Sequence, residues 1–548
     1  MATRTTNRQW ILYSVLAGCS TAAFRVLSSP GFTNDHFMHL AWARQMLLGE
    51  LPGRDFVEPG MPLVVVLSAL AQWVAPNPLS EELLTSGMLG LAAGLTFLLV
   101  ARLSGSRLVA LGATLFELAL QPRLYNYPKI LVPVLTILAL KWYLDRPSTS
   151  RLAAPAAATA IAFLFRHDLG LFAGAGIVVG LWAATDFSVR RTASQVRAFV
   201  ALTTALLVPY LLFVQWSEGV IEHVRRGVEF SKGEAHQLWP PLPTFESRSL
   251  AEWLEPNAAT LLVCSTYALL IVALAWLFWA RRHRTREATA VAAAIITLFG
   301  AYVLVILRHP LPTRLPDLAG ILAITGGWLT SEIVPALARE RDTRPVVAGV
   351  AAAGLVAVLA AATVTTSTMT RLMERVDDSA LLLGPTKVEE NIHDIIASRT
   401  TWSWPQMWPS GVLPPVIPYL DQCTAPSDRL LLTWPAPEYV YFARRLFAAG
   451  HGIMLQPPAF ETDRDRAEMQ RWLAPQRVPI VLINEDRRSE FVRGHPDLDA
   501  AIRDRYEAAG TFTAYDGATI TIAVRKDLRP TSRYEPLGWP CGFEPSRE

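Results

Sequence analysis

From the N-terminus to about Thr366 the chain is dominated by apolar blocks, and after Asp377 the pattern changes. Runs at about 9–27, 82–102, 107–121, 128–144, 152–165, 168–185, 196–216, 258–280, 287–307, 316–337 and 345–368 are apolar around the helix, which predicts about eleven membrane-crossing helices. Several are short for a span of roughly 20 residues and need a bundle around them. A further run, 61–75, is shorter still and opens on proline punctuation, so it predicts a juxtamembrane or re-entrant helix. Beyond 377, "RLLLTW" and "VPIVLIN" read as buried strands, while "PEYVYFARRL" and "DRAEMQRWLA" read as helices with one apolar face. "TFTAYDGATITIAVRK" is a hairpin signal about Asp516-Gly517. Strands alternating with helices predict a parallel sheet. The expected organisation is a transmembrane domain, 1–370, followed by an α/β domain, 377–548.

Charge placement orients the spans. Arg4 and Arg8 precede the run 10–27, which lacks a small-x-small cleavage site, so an uncleaved first span is expected. With the N-terminus cytoplasmic, the inner loops hold Arg102 and Arg107; Lys141, Arg146 and Arg151; Arg190, Arg191 and Arg197. The later inner loops hold Arg281, Arg282, Arg284 and Arg286, then Arg339, Arg341 and Arg344. Every inner loop is basic, as the positive-inside rule requires. This places 31–63, the loop at about 217–257 and the C-terminal domain on the outer side. The chain is 51% hydrophobic, and its net charge of +3 points to no nucleic-acid partner. Cys19 and Cys264 fall inside spans, whereas Cys423 and Cys541 fall in the outer domain. There thiols oxidise, so the latter two are a disulfide candidate, with two separate free thiols as the alternative.

The first outer stretch, "GFTNDHFMHLAWARQMLLGELPGRDFVEPGMPL", is dense in ionisable groups. Thr33 or Asn34 can cap a helix that runs to about Leu48, and Gly49 stops it. Phe37, Leu40, Ala41, Leu47 and Leu48 form an apolar stripe suited to the membrane surface; Asp35, His39, Trp42 and Met46 share another face. The turn that follows brings Arg54, Asp55 and Glu58 back towards it. Taken alone, Asp35 is an ordinary acid in a first helical turn, favoured by the dipole. Beside a membrane face, such acids are costly to desolvate and mark function.

Here the stretch resembles the first external loop of the GT-C glycosyltransferases: RgtA/B/C/D-like transferases, aminoarabinose transferases of lipid A, and protein O-mannosyltransferases. The matching residues are Asp35, Ala41, Gly49, Pro52, Arg54, Asp55, Phe56, Pro59, Pro62 and Leu63. Two positions depart from the pattern. His36 stands where many relatives carry a second acid, and Glu58 precedes Pro59-Gly60-Met61-Pro62 where aminoarabinose transferases place a lysine.

The resemblance implies a polytopic α-helical membrane protein of GT-C fold, with juxtamembrane helices in the first outer loop and a periplasmic α/β domain. It implies an inverting transfer of sugar from a polyprenyl phosphate to a glycan, lipid or protein acceptor at the outer face of a bacterial inner membrane. Asp35 would be the general base, with His36, His39, Arg54, Asp55 and Glu58 around the acceptor and donor. A departing phosphate needs cations. Candidates at outer helix ends are Lys129 in "RLYNYPKILVP", Arg166-His167 in "RHDLG", and Arg308-His309 with Arg314 in "RHPLPTRLPD". An arginine at a span end also simply snorkels. No cofactor is expected; the Asp35–His36–His39 spacing is a weak zinc signal. The segment "EHVRRGVEFSKGEAHQLWPPLP" is read as a lid over the donor. Two other functions stay open: a transporter or flippase of lipid-linked sugars, for which paired repeats are not evident, and a non-catalytic scaffold for envelope assembly.

Overall fold

The computed structural model describes residues 7–545, apart from 30, 33, 59, 238–245, 247–252, 281–284, 309–311, 338–348, 401–413, 452–461 and a few positions between 350 and 366. The first helices are α1 (Asn7–Leu27), α2 (Asn34–Leu47), α3 (Pro62–Val74), α4 (Pro78–Ser104), α5 (Arg107–Ala119) and α6 (Tyr127–Asp145). Then come α7 (Thr149–Phe165), α8 (His167–Ala184), α9 (Val189–Ser217), α10 (Val220–Gln237), α11 (Leu254–Ala280), α12 (Arg286–Arg308) and α13 (Ala319–Leu337). Two further helices are α14 (Ser367–Asp378) and α15 (Pro385–Thr400). Among the described residues, seven helices are long and apolar enough to cross a membrane. The expected spans at 107–121 and 152–165 form helices of 13 and 17 residues, α5 and α7. Of the expected span 345–368, 345–348, 350, 356, 360, 362 and 364–366 lie outside the described residues and the rest is helical; Arg281, Arg282, Arg284, Arg339, Arg341 and Arg344 also lie outside them.

The chain folds as two compact units that cut across its order. One comprises Met1–Ser29, Glu82–Tyr210 and Leu238–Ile392; the other comprises Pro30–Glu81, Leu211–Gln237 and His393–Glu548.

In the first unit, small residues set the closest helix approach. Ser14, Gly18 and Ala22 of α1 face Gly90 and Gly94 of α4, and Ser14 Oγ donates to Gly94 O at 2.7 Å. A Cβ on Gly90 would lie 2.6 Å from Gly18 O, so only glycine lets the backbones meet there. Lipid offers helices no hydrophobic drive to associate, and close backbone packing replaces it.

The second unit is built on a five-stranded sheet. Its strands are β1 (Arg429–Leu432), β2 (Leu446–Phe447), β3 (Ile480–Asn484), β4 (Tyr506–Thr513) and β5 (Thr519–Arg525), in the order β2-β1-β3-β5-β4. The sheet is mixed rather than parallel: β2, β1 and β3 run parallel, and β5 and β4 join as an antiparallel hairpin. Gly517, at φ 87°, supplies the left-handed residue that its turn needs. A separate ribbon, β6 (Leu528–Tyr534) with β7 (Trp539–Pro545), carries Cys541, which is disulfide-bonded to Cys423.

The core of this unit is not made by the C-terminal segment alone. Phe37, Leu40, Ala41 and Trp42 of α2, with Phe56, pack among Tyr419, Phe442, Phe447, Ile480 and Ile522. Phe37 lies 5.1 Å from Phe442 and Phe56 lies 5.8 Å from Phe447, ring centre to ring centre. The stripe expected to lie on the membrane is therefore buried in protein at Phe37, Leu40 and Ala41, and only Leu47 and Leu48 stay exposed. The physical reason is area. Each aromatic or leucine side chain closed into a packed core gains about 1.5–3 kcal/mol, and the α/β core offers that closure on all sides.

Candidate active site

Residue 33 lies outside the described residues. The helix itself begins at Asn34 and ends before Gly49, whose φ of 91° stops it. Asp35 lies in the first turn of α2 and is exposed. The next residues turn inward. His36 is buried, lies tilted against Phe32 with ring centres 3.8 Å apart and bonds Glu81 Oε1 through Nε2 at 3.3 Å. Ser68 of α3 donates to the same Glu81 oxygen at 2.9 Å. His39, one turn on, is buried beside Trp42. Burial first, and the neighbouring His36 second, lower its pKa to about 4, so its ring is neutral at neutral pH despite Glu81 and Asp35. The helix thus presents one carboxylate to water and locks the turn behind it with a buried His–Glu–Ser set.

The return segment is equally specific. Gly53, at φ 80°, turns the chain, and Gly53 N donates to Phe56 O at 2.7 Å. Asp55 Oδ2 accepts from Leu51 N at 2.8 Å and from Arg54 Nε at 2.9 Å, so Arg54 and Asp55 hold each other. Glu58 is buried and accepts the Met61 backbone N–H. Next to it runs an ion network from α10: His223 Nδ1 to Glu218 Oε1 at 2.6 Å, and Arg226 to Glu218 Oε2 at 2.7 Å and to Glu468 Oε2 at 2.8 Å. The first part of the expected lid is this helix; 238–245 and 247–252 lie outside the described residues.

Burial pushes the Glu58 carboxyl up to about 7, against the opposing pull of the Met61 N–H and His223. The folded protein therefore keeps a proton that the unfolded chain releases above its ordinary carboxyl pKa. Stability is expected to fall as pH rises from about 4.5 through 7, and to level off above it. Glu58→Gln is expected to remove up to about 1.4 kcal/mol per pH unit of that slope. Unfolding midpoints of both proteins across this window test it, and parallel profiles would refute it.

In the first unit the basic candidates are not free charges. Lys129 Nζ bonds Asp317 Oδ2 at 2.6 Å in a buried pair, and Asn126 donates to Asp317 Oδ1 at 2.8 Å. Arg166 forks onto Asp168 with Nε to Oδ1 at 2.6 Å, and Arg314 lies 3.9 Å from Asp317. Arg166 and Arg314 both bring charge within electrostatic reach of Lys129. Among the described residues, Lys129, Arg166 and Arg314 thus gather with the carboxylates of Asp168 and Asp317. His167 instead bonds Tyr210 OH at 3.1 Å and stacks on Phe163. Arg308 closes α12; its side chain and His309 lie outside the described residues.

Sequence reasoning passed over Glu81, Glu218, Glu468 and Asp317. The available signal was weak but real: acids set directly against apolar helices, as in "SEELL" and "RLPD". Among the described residues, His451, Asp465 and Glu468 gather metal-type ligand atoms within 4.8 Å of one another. Asp465 there caps its own helix through Thr462, and Glu468 already faces Arg226.

No protein-family model matches the chain, and no curated protein matches it. Solved structures do. The chain shares the GT-C fold of ArnT from Cupriavidus metallidurans bound to undecaprenyl phosphate, at TM-score 0.52 and 14% identity, covering 94% of this chain and 98% of that one. The apo state of the same protein gives TM-score 0.50 at 15% identity, covering 95% and 98%. The chain therefore has the architecture of a multi-pass membrane protein with an α/β unit from end to end.

Proposed function

We propose that this protein is an inverting glycosyltransferase that moves a sugar from a polyprenyl phosphate to an acceptor at the outer face of a bacterial inner membrane. The observation that carries the reading is the end-to-end fold likeness to a protein whose structure holds undecaprenyl phosphate. The placement of Asp35 supports it: a carboxylate in a first helical turn, open to water, suits a base that must reach a soluble acceptor. Asp35 takes the proton from the acceptor nucleophile as that atom attacks the anomeric carbon. The bond from that carbon to the phosphate oxygen breaks on the opposite face, and configuration inverts in the single displacement. The leaving group is already a stable anion, so it needs positive charge rather than a proton. Lys129, Arg166 and Arg314 are the cations that this reading assigns to the phosphate. Asp168 and Asp317 hold the cations in place before the lipid arrives.

Mass spectrometry of lipid extracts tests the proposal. A strain lacking the gene is expected to accumulate one sugar-linked polyprenyl phosphate, and the wild-type gene in trans is expected to clear it. An unchanged lipid-linked sugar pool would sink the reading.

A further inference from the structure

Between α14 and α15 the chain makes a short 3-10 turn of three leucines, Leu381, Leu382 and Leu383. They are 48%, 73% and 68% exposed. The turn is built rather than loose. Ala380 at φ 56° and Gly384 at φ 97° bracket it in left-handed backbone. Leu383 N donates to Ala380 O at 3.0 Å, and Leu381 N donates to Ser379 Oγ at 3.3 Å. Order of this kind around three apolar side chains left open to solvent is a cost unless something apolar covers them.

Its anchors say where the turn sits. Asn391 Nδ2 donates to Leu27 O at 3.0 Å and also to Asp378 O at 3.0 Å, and Arg375 donates to Ser28 O at 3.4 Å. The Leu27 and Ser28 carbonyls lie at the end of α1, a 21-residue helix able to cross a membrane. At 1.5 Å per residue α1 is about 31 Å long, close to the thickness of the hydrocarbon core, so its last residues mark the bilayer boundary. Arg25 Nη2 donates to Pro122 O at 2.9 Å, so the chain just after α5 reaches the same level. Both helices carry exposed apolar rows, Leu12 and Leu16 on α1 and Leu111 and Leu115 on α5.

We infer that the leucine turn is a membrane-dipping finger, whose partner is the acyl region of the leaflet where α1 ends. Charge favours an apolar mode of contact over attraction to anionic headgroups. Residues 367–390 carry five acids and three bases, unlike the basic helices that seek anionic lipid. The inference does not rest on the transferase reading.

The test uses the full-length protein with Cys19 and Cys264 replaced by Ala. Leu382→Cys, labelled with an environment-sensitive dye, is compared with Glu389→Cys on the exposed part of α15, both in phosphatidylcholine nanodiscs. The finger requires blue-shifted emission at 382, quenched several-fold more by spin label on shallow acyl carbons than by aqueous iodide. It requires the reverse at 389, and no change at 382 when anionic lipid is added. Water-like emission at 382 overturns the inference. So does a blue shift that appears only when undecaprenyl phosphate is added, or one without lipid quenching that disappears on dilution to monomers. Those outcomes would assign the leucines to a prenyl chain or to a second copy of this chain.

Discussion

Asp35→Asn is expected to lower the rate of sugar transfer by about 10²–10⁴-fold while the protein stays folded and keeps its donor affinity. The substitution is nearly isosteric and removes only the ability to take a proton. Asp35 is exposed and bonds no buried side chain among the described residues, so the change in stability is expected to stay near the ±0.5 kcal/mol of ordinary surface substitutions. The loss of a first-turn charge at the helix dipole adds at most about 1 kcal/mol. A base acts in the transition state, so turnover should fall with KM for the lipid unchanged. The measurement is initial transfer rate in proteoliposomes, with the unfolding midpoint recorded beside it. Full activity in Asp35→Asn would remove Asp35 from the reaction. Lost activity with a collapsed midpoint would make its role structural.

Lys129→Met is expected to cost about 3–5 kcal/mol, because it strands the buried Asp317 carboxylate without its closest cation. Asn126 and the more distant Arg314 remain and do not replace an ammonium at 2.6 Å. The double variant Lys129→Met/Asp317→Asn removes both charges and is expected to recover most of the loss, since an uncharged pair of similar volume has no desolvation debt. The two readouts then separate. Thermal midpoint in detergent should fall in the single variant and return in the double. Affinity for polyprenyl phosphate should fall in both, because the proposed phosphate cluster has lost Lys129 in each. Lipid affinity restored together with stability would reduce the lysine to a structural pair.

Much of the architecture is legible because it is local. A span such as 82–102 announces itself by composition, and the structure places a helix over Pro78–Ser104. The strands in "RLLLTW" and "VPIVLIN", the hairpin at Asp516-Gly517 and the end of α2 at Gly49 follow from patterning and turn chemistry within a few residues. Amphipathicity carries less. The row Phe37, Leu40 and Ala41 records that one face of α2 is buried, yet lipid and a protein core ask for the same row. The mixed sheet went unread for a related reason. Strand direction depends on which edge β5 pairs with, and that partner, β3, is chosen in space.

Ionisable groups divide in the same way. Asp35 could be picked out from its own neighbourhood, as an acid in the first turn of a helix after an apolar run. Lys129 could be picked out as a cation at a helix start, but its partner Asp317 lies 188 residues away. Likewise Arg226 meets Glu468 across 242 residues, and His36 meets Glu81 across 45. The sequence by itself determined the helices, the strands and the position of the candidate base, because each depends on contacts within a turn or two. Only the tertiary structure decided that the first loop folds into the α/β unit and that the cations are held by distant acids. The reason is that a charge or an apolar face specifies the kind of partner it needs, and only the folded chain specifies which one it meets.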